Sequence, residues 1–168
     1  MSEVQSVPDG GKRSVLFVSC LQFGVHTDTT KYCEHLRDRY ELTYLCLDQG
    51  LPRKTLGGVE VVYCDRRPLG KVEVGLLLET LGLLRSRQFD LVFVRRTKFS
   101  FLLRLCHPRI PMVFDIRSGS IEAGRFERAV EDLLIRFNAL FFRHITVISP
   151  GLAGRLRLPD RTMVLPLG

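Results

Sequence analysis

Apolar residues fall along the chain in short blocks that stop abruptly on polar or small residues. Seven blocks are continuous runs of strand length: Ser14–Cys20, Leu42–Leu47, Val59–Cys64, Leu91–Val94, Met112–Phe114, Ile145–Ile148 and Met163–Leu165. Runs without polar alternation are what strands covered on both faces require. Between them lie stretches of helical spacing. Thr29–Arg39 follows Thr27 and Asp28, either of which could cap it. Val72–Arg87 places Val74, Leu77, Leu78, Leu81 and Leu84 on one broad face, weakened by Gly75 and Gly82. A short apolar segment ends at Pro108. Ile121–Arg143 is the longest candidate, with Phe126, Val130, Leu133, Phe137 and Leu140 on one face and Asp132 and Arg136 spaced for an i,i+4 pair. Ser149 could cap a last short helix that has Pro150 at its first position.

Strands alternating with helices at this spacing predict an α/β domain. The expected architecture is a Rossmann-like three-layer α/β/α sandwich with a mostly parallel sheet of about seven strands. Residues 1–13 read as a flexible polar tail, with Pro8 and Gly10-Gly11, and 14–168 as the domain. The organising stretch is Leu91–Ser120, in which two buried strands end on Arg95-Arg96 and on Asp115 and Arg117. In an open parallel sheet the carboxyl edge is the ligand edge. In the dinucleotide-type strand order the first and fourth strands meet there at the switch point. The Gly24 loop, the Arg95-Arg96 tip and the Asp115–Gly119 tip are then expected to converge on one cleft.

Charge sharpens this picture. The net charge is +7, and residues 85–117 carry eight basic residues against Asp90 and Asp115. That imbalance suits an anionic neighbour, phosphate or lipid headgroup, or else a solvated basic surface. No nucleic-acid motif accompanies it, so nucleic acid is not an expected partner. The five cysteines include no CxxC pair, and the four histidines (His26, His35, His107, His144) are scattered. No metal site is expected, and a reducing cytoplasmic setting fits better than secretion. Residues 1–11 lack a signal peptide's apolar core, and no apolar run reaches the roughly 20 residues that span a bilayer.

Several residues could carry chemistry. Gly24 follows the first strand as phosphate-binding glycines do, but its loop, LQFGVHTD, is neither GxGxxG nor GxxxxGK[ST], and a plain turn glycine reads the same way. His26 could donate to a substrate hydroxyl or phosphate, or sit on the surface as a capping residue. Arg95 and Arg96 alternate in direction, so one of them should face the cleft. Asp115 and Arg117, two apart, point the same way; they could orient a sugar hydroxyl and bind phosphate, or form a structural ion pair. Ser149 is either a cap or a polar cleft residue. Phe99, set among Arg96, Lys98, Arg104 and Arg109, marks either an anionic-membrane or anion patch or a crossover helix with basic ends.

The segments RSVLFVSC…FGVHTDTTKYCEHLRDRYELTYLCL, FDLVFVRR, PMVFDIRSGSIEAGRFERAVEDLLIRFNALFFRHITVISPGLAGRL and MVLPLG together resemble the N-terminal half of a GT-B glycosyltransferase of the retaining GT4 type, over Ser14 to Gly168. The most specific part is the end: a long helix, then HITVISPGLAGRL, then VLPLG. The resemblance implies a two-domain enzyme with its active site between the lobes, this half holding the acceptor. Gly24 matches the glycine loop that approaches donor phosphates or acceptor. Arg117 falls where many members carry a histidine near the reacting sugar, a departure that leaves its catalytic role without support.

The family's donor-lobe signature is two glutamates eight positions apart, and no two glutamates here have that spacing. The sequence therefore looks like an excised acceptor domain or one half of a split enzyme. The resemblance implies no cofactor in this chain, and a nucleotide-diphosphate sugar for the whole enzyme. It implies as partners a C-terminal donor-binding domain and a sugar or lipid-linked acceptor. Gly24, His26, Arg95, Asp115, Arg117 and Ser149 are the expected acceptor-binding residues. The expected setting is cytoplasmic and peripheral to the membrane's inner face. The rivals are half of a sugar-nucleotide 2-epimerase, a membrane-docking subunit that recruits a catalytic chain, and a nucleotide-binding regulatory module.

Overall fold

The computed structural model describes residues 11–65, 72–119 and 124–165. The elements run β1 (Arg13–Ser19), α1 (Thr27–Leu36), β2 (Tyr40–Leu47), β3 (Val59–Cys64), α2 (Val72–Ser86), β4 (Leu91–Arg95), α3 (Ser100–Cys106), β5 (Met112–Ile116), α4 (Arg125–Phe141), β6 (His144–Val147), α5 (Pro150–Leu156) and β7 (Thr162–Val164). All seven strands lie in one sheet, order β3-β2-β1-β4-β5-β6-β7, and every pairing is parallel. The chain therefore reverses direction across the sheet between β1 and β4, as the Rossmann-like reading requires.

Boundaries moved where pairing partners extend the strands. β1 begins at Arg13, within the stretch expected as tail, because Arg13 pairs with Tyr40 of β2. The rest of that tail, 1–10, lies outside the described residues, as do 120–123 at the expected start of the longest helix. β5 continues through Asp115 and Ile116 because β6 supplies partners for both. α1 starts at Thr27, two residues earlier than its pattern suggests. His26 occupies the cap position without a side-chain cap bond, so neither Thr27 nor Asp28 caps the helix.

The two faces of the sheet are covered unequally. Leu76 and Leu84 of α2, Leu103 of α3, Ile135 and Ala139 of α4 and Leu156 of α5 pack with Leu16, Val18, Val92, Val94, Phe114, Ile116 and Ile145. Cys33 and Leu36 of α1 cover the opposite face over Val15, Phe17, Leu42, Tyr44 and Phe93. This split follows from right-handed crossovers, because the chain moves one way from β1 to β2 and the other way from β3 onward. The long β2–β3 loop is pinned by buried Gln22. Its Nε2 donates to Leu51 O (2.8 Å) and its Oε1 accepts from Gln49 N (2.9 Å).

The longest helix lies the other way round from what its pattern suggests. Its inner face is Ile135, Asn138 and Ala139, while Phe126, Val130, Leu133, Phe137 and Leu140 are all exposed. Asn138 explains the choice of face. Its Oδ1 accepts from Phe101 N (2.9 Å), and its Nδ2 donates to Lys98 O (3.0 Å) and Leu134 O (2.8 Å), so it closes the start of α3 onto α4. A buried amide satisfied on both sides can hold a polar position inside. Asp132 meets Arg155 of α5 at 3.7 Å.

Candidate functional site

The carboxyl edge beside the β1/β4 switch holds a groove of about 770 Å³ lined by His26, Thr27, Asp28, Lys31, Tyr32, His35, Arg95, Arg117 and Ser118. Three elements build it. α1 presents Asp28, Tyr32 and His35 along one side at helical spacing. β4 ends on Arg95, and the chain leaving β5 carries Arg117. Asp115 lies beneath, opposite Arg95 in the β4/β5 register.

The floor is an ion-pair network that is nearly closed to solvent. Arg117 Nε donates to Asp115 Oδ2 (2.7 Å), while Asp115 Oδ1 accepts from Thr146 Oγ1 (2.6 Å) on β6. Arg117 also donates to the Tyr32 hydroxyl and to Leu165 O (3.3 Å). Burial disfavours the charge on Arg117, but its bonds to Asp115 and Tyr32 outweigh this and raise its pKa. Arg95 donates to Thr29 Oγ1 (2.8 Å). Asp28 stands between the two guanidiniums, with an oxygen 4.0 Å from Arg95 Nη1 and another 3.9 Å from Arg117 Nε.

His26 sits at the rim, with Nδ1 4.0 Å from Asp28 Oδ1. Partial burial and the nearby charge of Arg95 push its pKa below the ordinary histidine value, against the opposing pull of Asp28. A neutral imidazole at neutral pH can accept a hydrogen bond from a hydroxyl. The groove thus offers guanidinium donors, a carboxylate acceptor and an imidazole along one wall. That combination suits a ligand rich in hydroxyls that also carries an acidic group.

Of the residues expected at a cleft, the structure brings together His26, Arg95 and Arg117, with Asp115 below them. Gly24 lies apart. It lines a neighbouring hollow with Lys54, whose Nζ donates to Gly24 O (3.1 Å). The Ser149 hydroxyl accepts from Leu152 N (3.2 Å) and caps α5. Arg95 and Arg96 diverge as strand alternation demands. Arg96 enters a small cavity of about 50 Å³ beside Cys20, Glu73 and Glu131. There Arg96 Nη1 is 3.6 Å from Glu131, and Lys98 Nζ is 3.2 Å from Glu131 and 3.9 Å from Glu73. Burial raises the pKa of Glu73 and of the Cys20 thiol.

Arg104 ties the turn into β5 through Pro108 O (2.6 Å) and Ile110 O (3.1 Å), Phe99 is half-buried at the start of α3, and Arg109 is exposed. The excess of positive charge counted along residues 85–117 is therefore offset by acids from α2, α4 and β3, the last through Glu60 and Arg87.

Asp28, Tyr32, Thr29 and Thr146 were not singled out from the sequence as site residues. For the first two a signal existed: Asp28, Tyr32 and His35 recur at i, i+4 and i+7, a polar stripe on a helix that follows the first strand. Among the described residues no group of three or more His, Cys, Asp or Glu could hold a metal ion, and no helix is long and apolar enough to cross a membrane.

No protein-family pattern and no curated protein matches this sequence. Solved structures do. A structure of Phytolacca americana UGT2, complexed with UDP-2fluoro-glucose and pterostilbene, superposes with a TM-score of 0.60 at 12% identity. The fold is shared with UGT2. The match covers 93% of this chain and 52% of that one, so this chain spans about half the length of UGT2. At this identity the likeness concerns the fold.

Proposed function

We propose that this chain is the acceptor-binding half of a GT-B, GT4-like glycosyltransferase, which moves a sugar from a nucleotide-diphosphate donor to an acceptor hydroxyl. The observation that carries the reading is the meeting of Asp28, Arg95, Arg117 and His26 in one groove at the carboxyl edge beside the strand switch. The shared fold with UGT2, a protein solved with a nucleotide sugar and a second small molecule, supports it. In this reading Asp28 and His26 accept hydrogen bonds from acceptor hydroxyls, and Arg95 and Lys31 receive an acidic group of the acceptor or of the departing diphosphate. Arg117 and Asp115 fix the floor. A donor-binding domain, on the same or another polypeptide, supplies the nucleotide site and the opposite wall.

The test joins two measurements. Titration of the purified chain with a library of methyl glycosides, followed by NMR of the Thr27–His35 and Arg95 amides, should show fast-exchange shifts confined to the groove. Asp28→Asn and Arg95→Ala should each weaken binding by roughly tenfold. Incubation with nucleotide sugars should give no transfer until a donor-binding domain is added. Robust turnover by the 168-residue chain alone, or shifts that map elsewhere, would sink the proposal.

A further inference from the structure

The α4 helix carries an apolar face that none of the described residues covers. Phe126 is 81% exposed, Leu133 60% and Leu140 67%, with Val130 and Phe137 between them. Their 4-3-4-3 spacing puts all five on one stripe along 17 residues, about 25 Å of helix. The stripe does not stop at the helix edge. Phe101 of α3 packs edge-on against Phe137 (5.2 Å between centroids) and beside Phe141 (5.5 Å), and Leu105, one turn further along α3, is also exposed. Monomeric soluble proteins rarely leave a contiguous apolar surface of more than a few hundred Å² uncovered.

The rim of this surface identifies its occupant. Arg125 and Arg136 directly precede Phe126 and Phe137 and flank the stripe, exposed, on one side. Beyond the end of α4, exposed Arg143 gathers with Arg104, Arg109 and His144 around one hollow. The acids nearby are engaged: Asp132 faces Arg155 at 3.7 Å, and Glu127 folds back to accept from Gly124 N (3.2 Å). A second copy packed antiparallel, helix to helix across a twofold axis, would lay one arginine flank beside the other. An anionic lipid surface instead meets apolar side chains with acyl chains and arginines with headgroup phosphates.

We infer that the outer face of α4, extended by Phe101 and Leu105, docks this protein flat on an anionic membrane. α4 begins at the edge of the sheet where β5 ends, so Phe126 lies at the same edge as the groove. The docking rests on α4 and α3 and not on the groove. Its test reads binding rather than transfer, so it can fail or hold independently of the function proposed above.

The experiment is co-sedimentation of the purified chain with vesicles of phosphatidylcholine, with and without phosphatidylglycerol, at low and high salt. Binding should require the anionic lipid and weaken in high salt. Phe126→Glu with Leu133→Glu should reduce it at least tenfold, and Arg136→Glu should reduce it about fivefold. The positions are exposed, so unchanged circular dichroism and melting would show that the variants are folded. Sedimentation velocity across a concentration series covers the rival occupant. A dimer that Leu133→Glu dissociates, equal binding to neutral vesicles, or no binding at low salt would each overturn the inference.

Discussion

Arg117 Nε donates to Asp115 Oδ2 at 2.7 Å, and the two side chains are respectively 6% and 4% exposed. Removing one member strands the other's charge in a poorly solvated place. Asp115→Asn should therefore cost about 3 kcal/mol of unfolding free energy, although the amide can keep the Thr146 hydroxyl as a partner. The double variant Asp115→Asn/Arg117→Met should lose less than the sum of the singles, by at least about 1 kcal/mol. Urea unfolding of the four proteins measures this, and strict additivity would show that the pair is not coupled.

His26 gives a pH dependence with a definite sign. Its pKa is lower folded than unfolded, so the unfolded chain takes up the proton first as pH falls. Stability contributed by the neutral imidazole is complete above the ordinary value of about 6.5 and declines as pH drops below it toward the folded value. His26→Gln should flatten the dependence of melting temperature on pH in that window; the side chain is 46% exposed, so the change is small. By NMR titration, Arg95→Gln should raise the His26 pKa and Asp28→Asn should lower it further. The reverse pattern would contradict the placement of the three groups.

Asn138 is buried and bonded to both Lys98 and Phe101 of the α3 entry. Asn138→Ala leaves Phe101 N and Lys98 O without this partner, at an expected cost of about 2 kcal/mol. Amide hydrogen exchange at Phe101 should accelerate well before global unfolding does. Unchanged protection there would mean that the start of α3 is held by other contacts.

Gly24 has φ +81°, and an added Cβ would come within 2.5 Å of Lys54 Cδ. Gly24→Ala should lose about 1–2 kcal/mol from the left-handed backbone alone, plus whatever moving Lys54 costs. Lys54→Ala should relieve the steric part only. Full rescue by Lys54→Ala would show that the backbone conformation itself costs nothing.

Much of this architecture was legible in the chain. SVLFVSC, LTYLCL and VVYC can be little else than strands covered on both faces, and the tips at Arg95 and Asp115 pointed to the edge that carries the groove. The divergence of Arg95 from Arg96, and the same-side meeting of Asp115 and Arg117 across Ile116, follow from strand geometry and reappear in the contacts. The site was only half legible. Gly24 read as either a cleft or a turn glycine and Ser149 as either a cap or a cleft residue; a lysine from the β2–β3 loop occupies the first, and the second caps α5. Asp28 read as a possible helix cap, and Tyr32 carried no signal of its own, until β4 and β5 were set beside α1.

The sequence by itself determined the order and type of the elements, because burial on two faces or one is written into the period of apolar residues. Only the tertiary structure decided which groups meet, because ion pairs form between elements far apart in the chain. Lys98 is matched by Glu73 and Glu131, which no local count of charge reveals. It also decided which stripe of α4 turns inward. A five-residue apolar face would by hydrophobicity alone be buried, but one satisfied asparagine, beside buried Ile135 and Ala139, holds the opposite side in. Helical periodicity fixes the existence of a face; what it packs against is settled by the neighbours that the fold delivers.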